Sequence, residues 1–235
     1  MAELFLIRHA QASFGTHNYD RLSDVGLRQA ELLGEFLREC GARFDAAYSG
    51  ELERQRKTAE IVLEQQPQAV QLEIDARFNE IETGSILEWL VPVLSDRHPQ
   101  LAALAKKGER SSKDFQKALE IVFQHWVTTE DTHPEVQSWP DYSGNAHRAL
   151  ADVIEREGSG KSVAVFTSGG TIATLVAHVL GISGALVYKF YEPLINCSVT
   201  RLLYSGNKVS LSCFNDHQFI RLLGAQTGEG LLTYR

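Results

Sequence analysis

The feature that most limits what this chain can fold into is an alternation. Short apolar runs alternate with longer segments of helical period. "ELFLIRH" reads as a buried strand from Glu3 to Arg8. "LSDVGLRQAELLGEFLREC" carries apolar residues at helical spacing, with Ser23 or Asp24 able to cap its start. "FDAAYSG" reads as a short strand ending at Ser49, "ELERQRKTAEIVLEQQ" as a helix and "VQLEID" as a strand. Residues 86–107 and 111–128 read as two helices, and Pro134 and Pro140 separate them from a helix over about 143–157. "SVAVFTS" is a strand, and "TIATLVAHVLG" is a helix stopped by Gly181. "SVTRLLYSGNKVSLSCF" is two strands around a Ser-Gly-Asn turn. Such alternation predicts an α/β fold: a three-layer α-β-α sandwich with a mostly parallel sheet, an antiparallel edge from the last hairpin, and helices on both faces.

With 235 residues and no repeat, low-complexity tract or linker, residues 1–235 read as a single domain. A helical insertion over about 81–140 is expected to cover the sheet's carboxyl edge as a lid. Hydrophobic residues make up 43% and charged residues 23%, the balance of a soluble globular protein. No apolar stretch approaches the roughly 20 residues of a membrane span, and the opening "MAELFLIRHA" lacks a basic leader region. A cytoplasmic protein without a membrane partner is expected. The net charge of −7 argues against a nucleic-acid partner. Cys40, Cys197 and Cys213 form no CxxC pair, which fits small thiols in a reducing compartment.

In open α/β sheets ligands bind outside the carboxyl ends of the strands. Three such ends are polar here: Arg8-His9, Ser49 with Arg54 in the following helix, and Thr167-Ser168-Gly169-Gly170 before another helix. Taken singly, each has a plain structural reading: Arg8 paired with a carboxylate, His9 capping a loop, Ser168 capping a helix. Taken together, two arginines, a histidine and free helix amides describe an anion site. A histidine there can serve as base or nucleophile.

These segments resemble, in order and across nearly the whole chain, the histidine phosphatase superfamily with its phosphoglycerate-mutase-like fold. "LIRHA" with "LSDVGLRQA" is similar to the family's opening, "YSGELERQRKTAEIV" to its second block and "RFNEIETGS" to its third. "VAVFTSGGTIATL" is similar to its fourth block, and "NCSVTRLLYSGNKVSLSCFND" to its terminal hairpin. The resemblance implies that His9 attacks phosphorus and becomes phosphohistidine. It implies that Arg8 and Arg54 hold the phosphoryl oxygens and that Glu80 protonates the leaving oxygen. No cofactor or metal is implied, because arginines and amides stabilise the charge. Glu80 then needs a carboxyl pKa raised by burial. Without the resemblance, Glu80 reads as a surface carboxylate before a turn.

This sequence departs from the family pattern at three points. Ala10 stands where the family has glycine, which is tolerable at negative φ. His217 follows Asp216 directly, so no family role transfers to it. Ser168 stands where the family has a second histidine that hydrogen-bonds the phosphoryl group. Serine keeps a donor but cannot be cationic, and losing one charge-assisted donor costs on the order of 3 kcal/mol, roughly 100-fold in rate. Ser168 with Gly169 is therefore expected to bind phosphate weakly, unless His17, Arg21, Arg77 or His147 supplies the missing charge. His178 is expected to be packed. Two other readings of Ser168 remain: a hydrolase nucleophile, which lacks the first glycine of Gly-x-Ser-x-Gly, and a simple helix cap in a phospholigand-binding relative.

Asp131 and His133 read as a solvated loop without a metal-ligand cluster. Trp89, Trp126 and Trp139 read as lid or core packing, "KKGER" at 106–110 as a charged helix end, and "GAQTGEGLLTYR" as an irregular tail. The expectation is thus a hydrolase, a metal-independent phosphatase acting through phosphohistidine. Its partner is a small phosphorylated metabolite or a phosphoprotein. Phosphoglycerate-mutase-type transfer is the alternative, disfavoured because residues 86–128 hold only Arg97 and Arg110 as arginines for a second anion site. An exposed edge hairpin permits a homodimer without requiring one.

Overall fold

The computed structural model describes residues 2–13, 19–101 and 112–234. Its six-stranded sheet consists of β1 (Ala2–Arg8), β2 (Ala46–Ser49), β3 (Leu72–Ile74), β4 (Ser162–Thr167), β5 (Val199–Ser205) and β6 (Lys208–Asp216). The strand order is β3-β2-β4-β1-β5-β6. The first four are parallel neighbours, and β5 and β6 join antiparallel. The expected parallel sheet with an antiparallel edge is what forms.

Side chains alternate across the sheet. Phe5 and Ile7 of β1 pack with α1 (Asp24–Glu39) and α2 (Glu53–Glu64), through Leu33, Leu37 and Val62. Leu4 and Leu6 face the other layer. That layer is built from α3 (Thr83–Leu94), α4 (Ser112–Thr128), α5 (Trp139–Glu157) and α6 (Gly169–Val179). Apolar residues of α3 and α4, among them Leu90, Val122 and Trp126, are continuous with this second core. The tryptophans belong to it, as expected: Trp126 and Trp139 meet edge to face at 5.4 Å, and Trp89 lies against His133. Among the described residues no helix is long and apolar enough to cross a membrane.

Four expectations need correction. The helix expected over 86–107 begins at Thr83 and stops at Leu94. Pro99 lacks an N–H and disfavours helical backbone at His98 before it; residues 102–111, with "KKGER", lie outside the described residues. The helix expected from residue 143 starts at Trp139. Pro140 sits in its first turn, where an amide would be unpaired anyway, and Ser138 caps it by accepting from the Asp141 N–H at 3.2 Å. The strand "VQLEID" shrinks to Leu72–Ile74, the length over which β2 offers partners. The tail is only partly irregular: α8 (Gln218–Thr227) occupies its start, after the short α7 (Tyr188–Tyr191). Its last residues then return to the sheet's carboxyl edge.

Candidate active site

The sheet register places Arg8 beside Thr167 and Ser49 beside Phe166. The three polar strand ends are therefore neighbours. His9 follows β1 and is buried, its own N–H bonded to the Thr167 carbonyl at 2.9 Å. Its Nδ1 lies 2.8 Å from the Ala10 carbonyl oxygen. A carbonyl only accepts, so Nδ1 carries the proton and Nε2 carries the lone pair. Nε2 in turn receives the Arg54 Nε–H at 3.2 Å. The His9 pKa lies well below the usual imidazole value; burial is the main cause, followed by Arg54 and Arg8. His9 is thus a neutral imidazole with an aimed lone pair.

The motif residues around it hold this geometry. Thr58 Oγ1 accepts from the Ala10 N–H and donates to the Arg54 carbonyl. Ala10 is fully buried and is not among the residues with positive φ, so its methyl replaces glycine without backbone strain. A Cβ at Gly26 would sit 2.1 Å from the Gln11 carbonyl, so only glycine lets α1 approach the loop after His9. Buried Gln29 accepts from the Gln11 N–H and donates to Leu231 O and Thr233 Oγ1 of the tail. Asn196 Nδ2 donates to the His9 carbonyl at 3.1 Å.

Arg54 is oriented by Asp20, whose Oδ1 lies 2.6 Å from its Nη1. The other oxygen of Asp20 accepts from the Glu53 N–H and so caps α2. Arg8 donates to the carbonyls of Leu194 and Tyr234. Its buried Nε has no partner among the described residues. Burial lowers its pKa, but a guanidinium starting at 12.5 stays charged near neutrality.

Glu80 lies across from these cations. Its Oε1 accepts two N–H groups, from Ile81 and from Gly170 in the first turn of α6, both at 2.9 Å. Burial raises its pKa, against Arg54, Arg8 and the two amides. The segment before it is pinned from three sides. Phe78 O accepts from Thr167 Oγ1 and Gln55 Nε2, and Asn79 O accepts from Thr171 Oγ1. The Gly-Gly pair exists because of two close approaches. A Cβ at Gly170 would lie 2.4 Å from Glu80 Oε1, and one at Gly169 would lie 2.9 Å from the Tyr191 ring.

These groups open into a cavity of about 490 Å³ lined by Arg8, His9, Arg54 and Glu80. Ser168 and Gly169 are buried behind its wall and do not line it, contrary to the expected phosphate contact. Tyr191 covers Gly169. The Ser168 hydroxyl accepts from Gln55 Nε2 at 2.8 Å and makes no side-chain cap to α6, which removes the helix-cap reading as well.

The proposed substitute cations are elsewhere. Arg21 reaches Glu53 on the surface. Arg77 is held by Asp75 and Asp152. His147 stacks at 3.8 Å on His178, which is exposed rather than packed, in a separate cleft. His17 lies outside the described residues. His217 is tied to the Asn215 carbonyl. All three cysteines are free thiols. Among the described residues no three His, Cys, Asp or Glu side chains are grouped to hold a metal.

Sequence reasoning missed Asp20, Gln55 and the tail. Gln55 follows Arg54 in sequence, is fully buried and touches two of the three segments that meet here. A Cβ at Gly50 would lie 2.0 Å from its Oε1, so the glycine in "YSG" makes room for it.

The chain has relatives in sequence and in fold. A phosphoglycerate mutase of the 2,3-bisphosphoglycerate-dependent kind from Allorhizobium ampelinum is 27% identical over 180 residues, covering 74% of this chain and 77% of that protein. A phosphoserine phosphatase from Entamoeba histolytica shares the fold at a TM-score of 0.66 and 19% identity, over 94% of this chain and 100% of that one. A mycobacterial glucosyl-3-phosphoglycerate phosphatase does so at 0.63 and 19%, over 91% and 98%. The family model of the histidine phosphatase superfamily, branch 1, matches residues 4–117 and 107–217. That match spans most of the chain, which therefore belongs to the histidine phosphatase superfamily.

Proposed function

We propose that this protein is a metal-independent phosphomonoesterase working through a phosphohistidine at His9. The observation that carries the reading is the locked tautomer of His9, with Nδ1–H on Ala10 O and the Nε2 lone pair facing Arg54. Nε2 attacks phosphorus, and the bond from phosphorus to the ester oxygen breaks. Glu80, whose carboxyl pKa is raised by burial, gives its proton to that oxygen and becomes a carboxylate. Water then attacks the phosphohistidine while Glu80 takes its proton back, and the N–P bond breaks to release phosphate. Arg8 and Arg54 hold the phosphoryl oxygens throughout, supplying the charge stabilisation that a metal would otherwise provide.

Ser168 acts in this reading through Gln55 rather than on phosphate. Where the family has a phosphate-binding histidine, the Gln55–Ser168 pair is instead a brace between α2, the end of β4 and the carbonyl of Phe78, two residues before Glu80. Gln55 is a positioning residue. Transfer back to the same substrate, as in a mutase, would need a second anion site. Among the described residues the only basic side chains lining the cavity are Arg8, His9 and Arg54. Residues 1–235 are proposed to act as one domain, with the described parts of 81–140 forming the roof.

The test is turnover of phosphate monoesters in EDTA by wild type and His9→Ala, with acid-labile phosphohistidine trapped by rapid quench. Turnover and a trapped intermediate, both lost in His9→Ala, are expected. Saturable binding without either would reassign the protein as a phospholigand binder, and turnover surviving in His9→Ala would remove His9 as nucleophile.

A further inference from the structure

Above the phosphate-binding floor, the cavity changes character. Its wall is formed by Tyr19, Tyr188, Tyr191 and Tyr234 with Ile81 and Leu119. The rings are held in place. Tyr191 lies on Gly169 at a distance that leaves no room for a Cβ, and it meets Tyr188 edge to face at 5.9 Å. Tyr19 lies under the Arg54 guanidinium at 5.4 Å and so joins floor to wall. Leu119 of α4 and Tyr188 of α7 are buried in the core. The rim adds two exposed carboxylates, Glu82 and Glu192, and one amide, Gln116.

All the basic groups among the described lining residues are therefore at the floor, and the outer half is mainly aromatic, aliphatic and acidic, with Thr83, Gly84 and Gln116 as its neutral polar residues. A flat apolar group fits against tyrosine faces, and a cation gains from both the ring quadrupoles and the rim carboxylates. Among the described lining residues, a second anion on the substrate meets no cation there: its donors are phenol hydroxyls, the Gln116 amide, and Thr83 and Gly84 at the start of α3, beside two like charges. A volume of about 490 Å³ accommodates a phosphoryl group with a ring-sized alcohol.

We propose that the site selects phosphate monoesters whose alcohol is apolar, and uncharged or cationic, and discriminates against those carrying a carboxylate or second phosphate. This inference rests on the phosphohistidine reading above.

The experiment compares kcat/KM of the full chain on four primary alkyl phosphates: 2-phenylethyl phosphate, phosphocholine, glycerol 3-phosphate and 2-phosphoglycolate. Because all four are primary alkyl esters, the comparison reports the group beyond the ester. One methylene in an apolar pocket is worth about 10-fold or more, so the phenyl ester should exceed the glycerol ester by at least that factor. Phosphocholine should also exceed the glycerol ester, and the glycolate ester should fall at least about 10-fold below it. Glu192→Lys, a change at the exposed rim, should raise the glycolate-to-phenylethyl ratio. A glycolate ester turned over as well as the phenyl ester overturns the inference, as does a ratio unmoved by Glu192→Lys. In either case phosphohistidine formed from any of the four leaves the underlying mechanism standing. No turnover of any ester and no trapped phosphohistidine sinks both.

Discussion

Two of the clefts that contain histidine bear comparison, and the larger is not the one with the chemistry. One, of about 890 Å³, lies against α5, the far end of α6 and the β5–β6 turn, and holds His147 and His178. The other, of about 490 Å³, lies at the opposite end of α6 and holds His9. In the first, two imidazoles stack on each other, and no arginine is among the lining residues. In the second, one imidazole is buried, its proton placed by a carbonyl and its lone pair faced by a guanidinium. Space alone does not make a reactive site. A fixed tautomer, burial and converging cations do.

The widest gap between the clefts should appear on removing their histidines. His9→Ala is expected to lower kcat by about 10⁴-fold or more, as loss of a nucleophile does, whereas His147→Ala should leave it within about twofold. Comparable losses in steady-state assays would erase the distinction.

Next in size is Glu80→Gln, expected to cost about 10²- to 10⁴-fold on alkyl esters. It should also reshape the pH profile. His9 must be neutral, and its lowered pKa keeps it so below the ordinary imidazole range. Glu80 must be protonated, and its raised pKa extends that state above the ordinary carboxyl range. The kcat/KM bell should therefore sit on the acid side of neutrality, with the alkaline limb lost in Glu80→Gln. An alkaline limb that persists would assign the acid to another group.

Within the active cleft, Gln55→Ala should lower kcat about 10-fold with little change in KM, because it loosens the Phe78–Glu80 segment rather than binding substrate. A structural role alone would not also shift the alkaline limb, which this variant should. Ser168→His should fit only in the Gln55→Ala background, since Gln55 fills that space. The two changes should couple by about 0.5–3 kcal/mol in a double-mutant cycle. Simple additivity would break the paired reading. Gln29→Ala strands buried donors and acceptors from the His9 loop and the tail, and should cost about 1–3 kcal/mol in chemical denaturation.

The smallest effect belongs to the histidine pair. Burial, then His178 and Arg148, lower the His147 pKa to about 4. Its unfolded form binds a proton more readily, so the fold loses stability as pH falls from about 6.5 towards 4. His147→Leu should flatten that part of the melting-temperature profile while leaving kcat near wild type. A profile as steep as wild type would place the acid sensitivity elsewhere, His9 being the other buried imidazole with the same sign.

Much of this was legible beforehand. The alternation of strands and helices and the polar strand ends followed from the sequence, and its family resemblance named Arg8, His9, Arg54 and Glu80, which line one cavity. The failures share a cause. Pro140 looked like a breaker, yet it falls in a helix's first turn, which the cap at Ser138 decides. The tail looked irregular, yet Leu231 and Thr233 dock on Gln29, some 200 residues away in sequence. Ser168 looked like a phosphate ligand, yet a glutamine from another helix holds its hydroxyl.

The sequence by itself determined the alternation of elements, though not all their bounds, which strands end in polar side chains, and the family to which the chain belongs, because periodicity and motif spacing are local properties. Only the tertiary structure decided which groups are buried, which proton each carries and what fills the place of the absent histidine. Tautomer and pKa depend on desolvation and on partners from other segments. Here a carbonyl, a guanidinium and two amides come together at His9 and Glu80 only once the strands are in register.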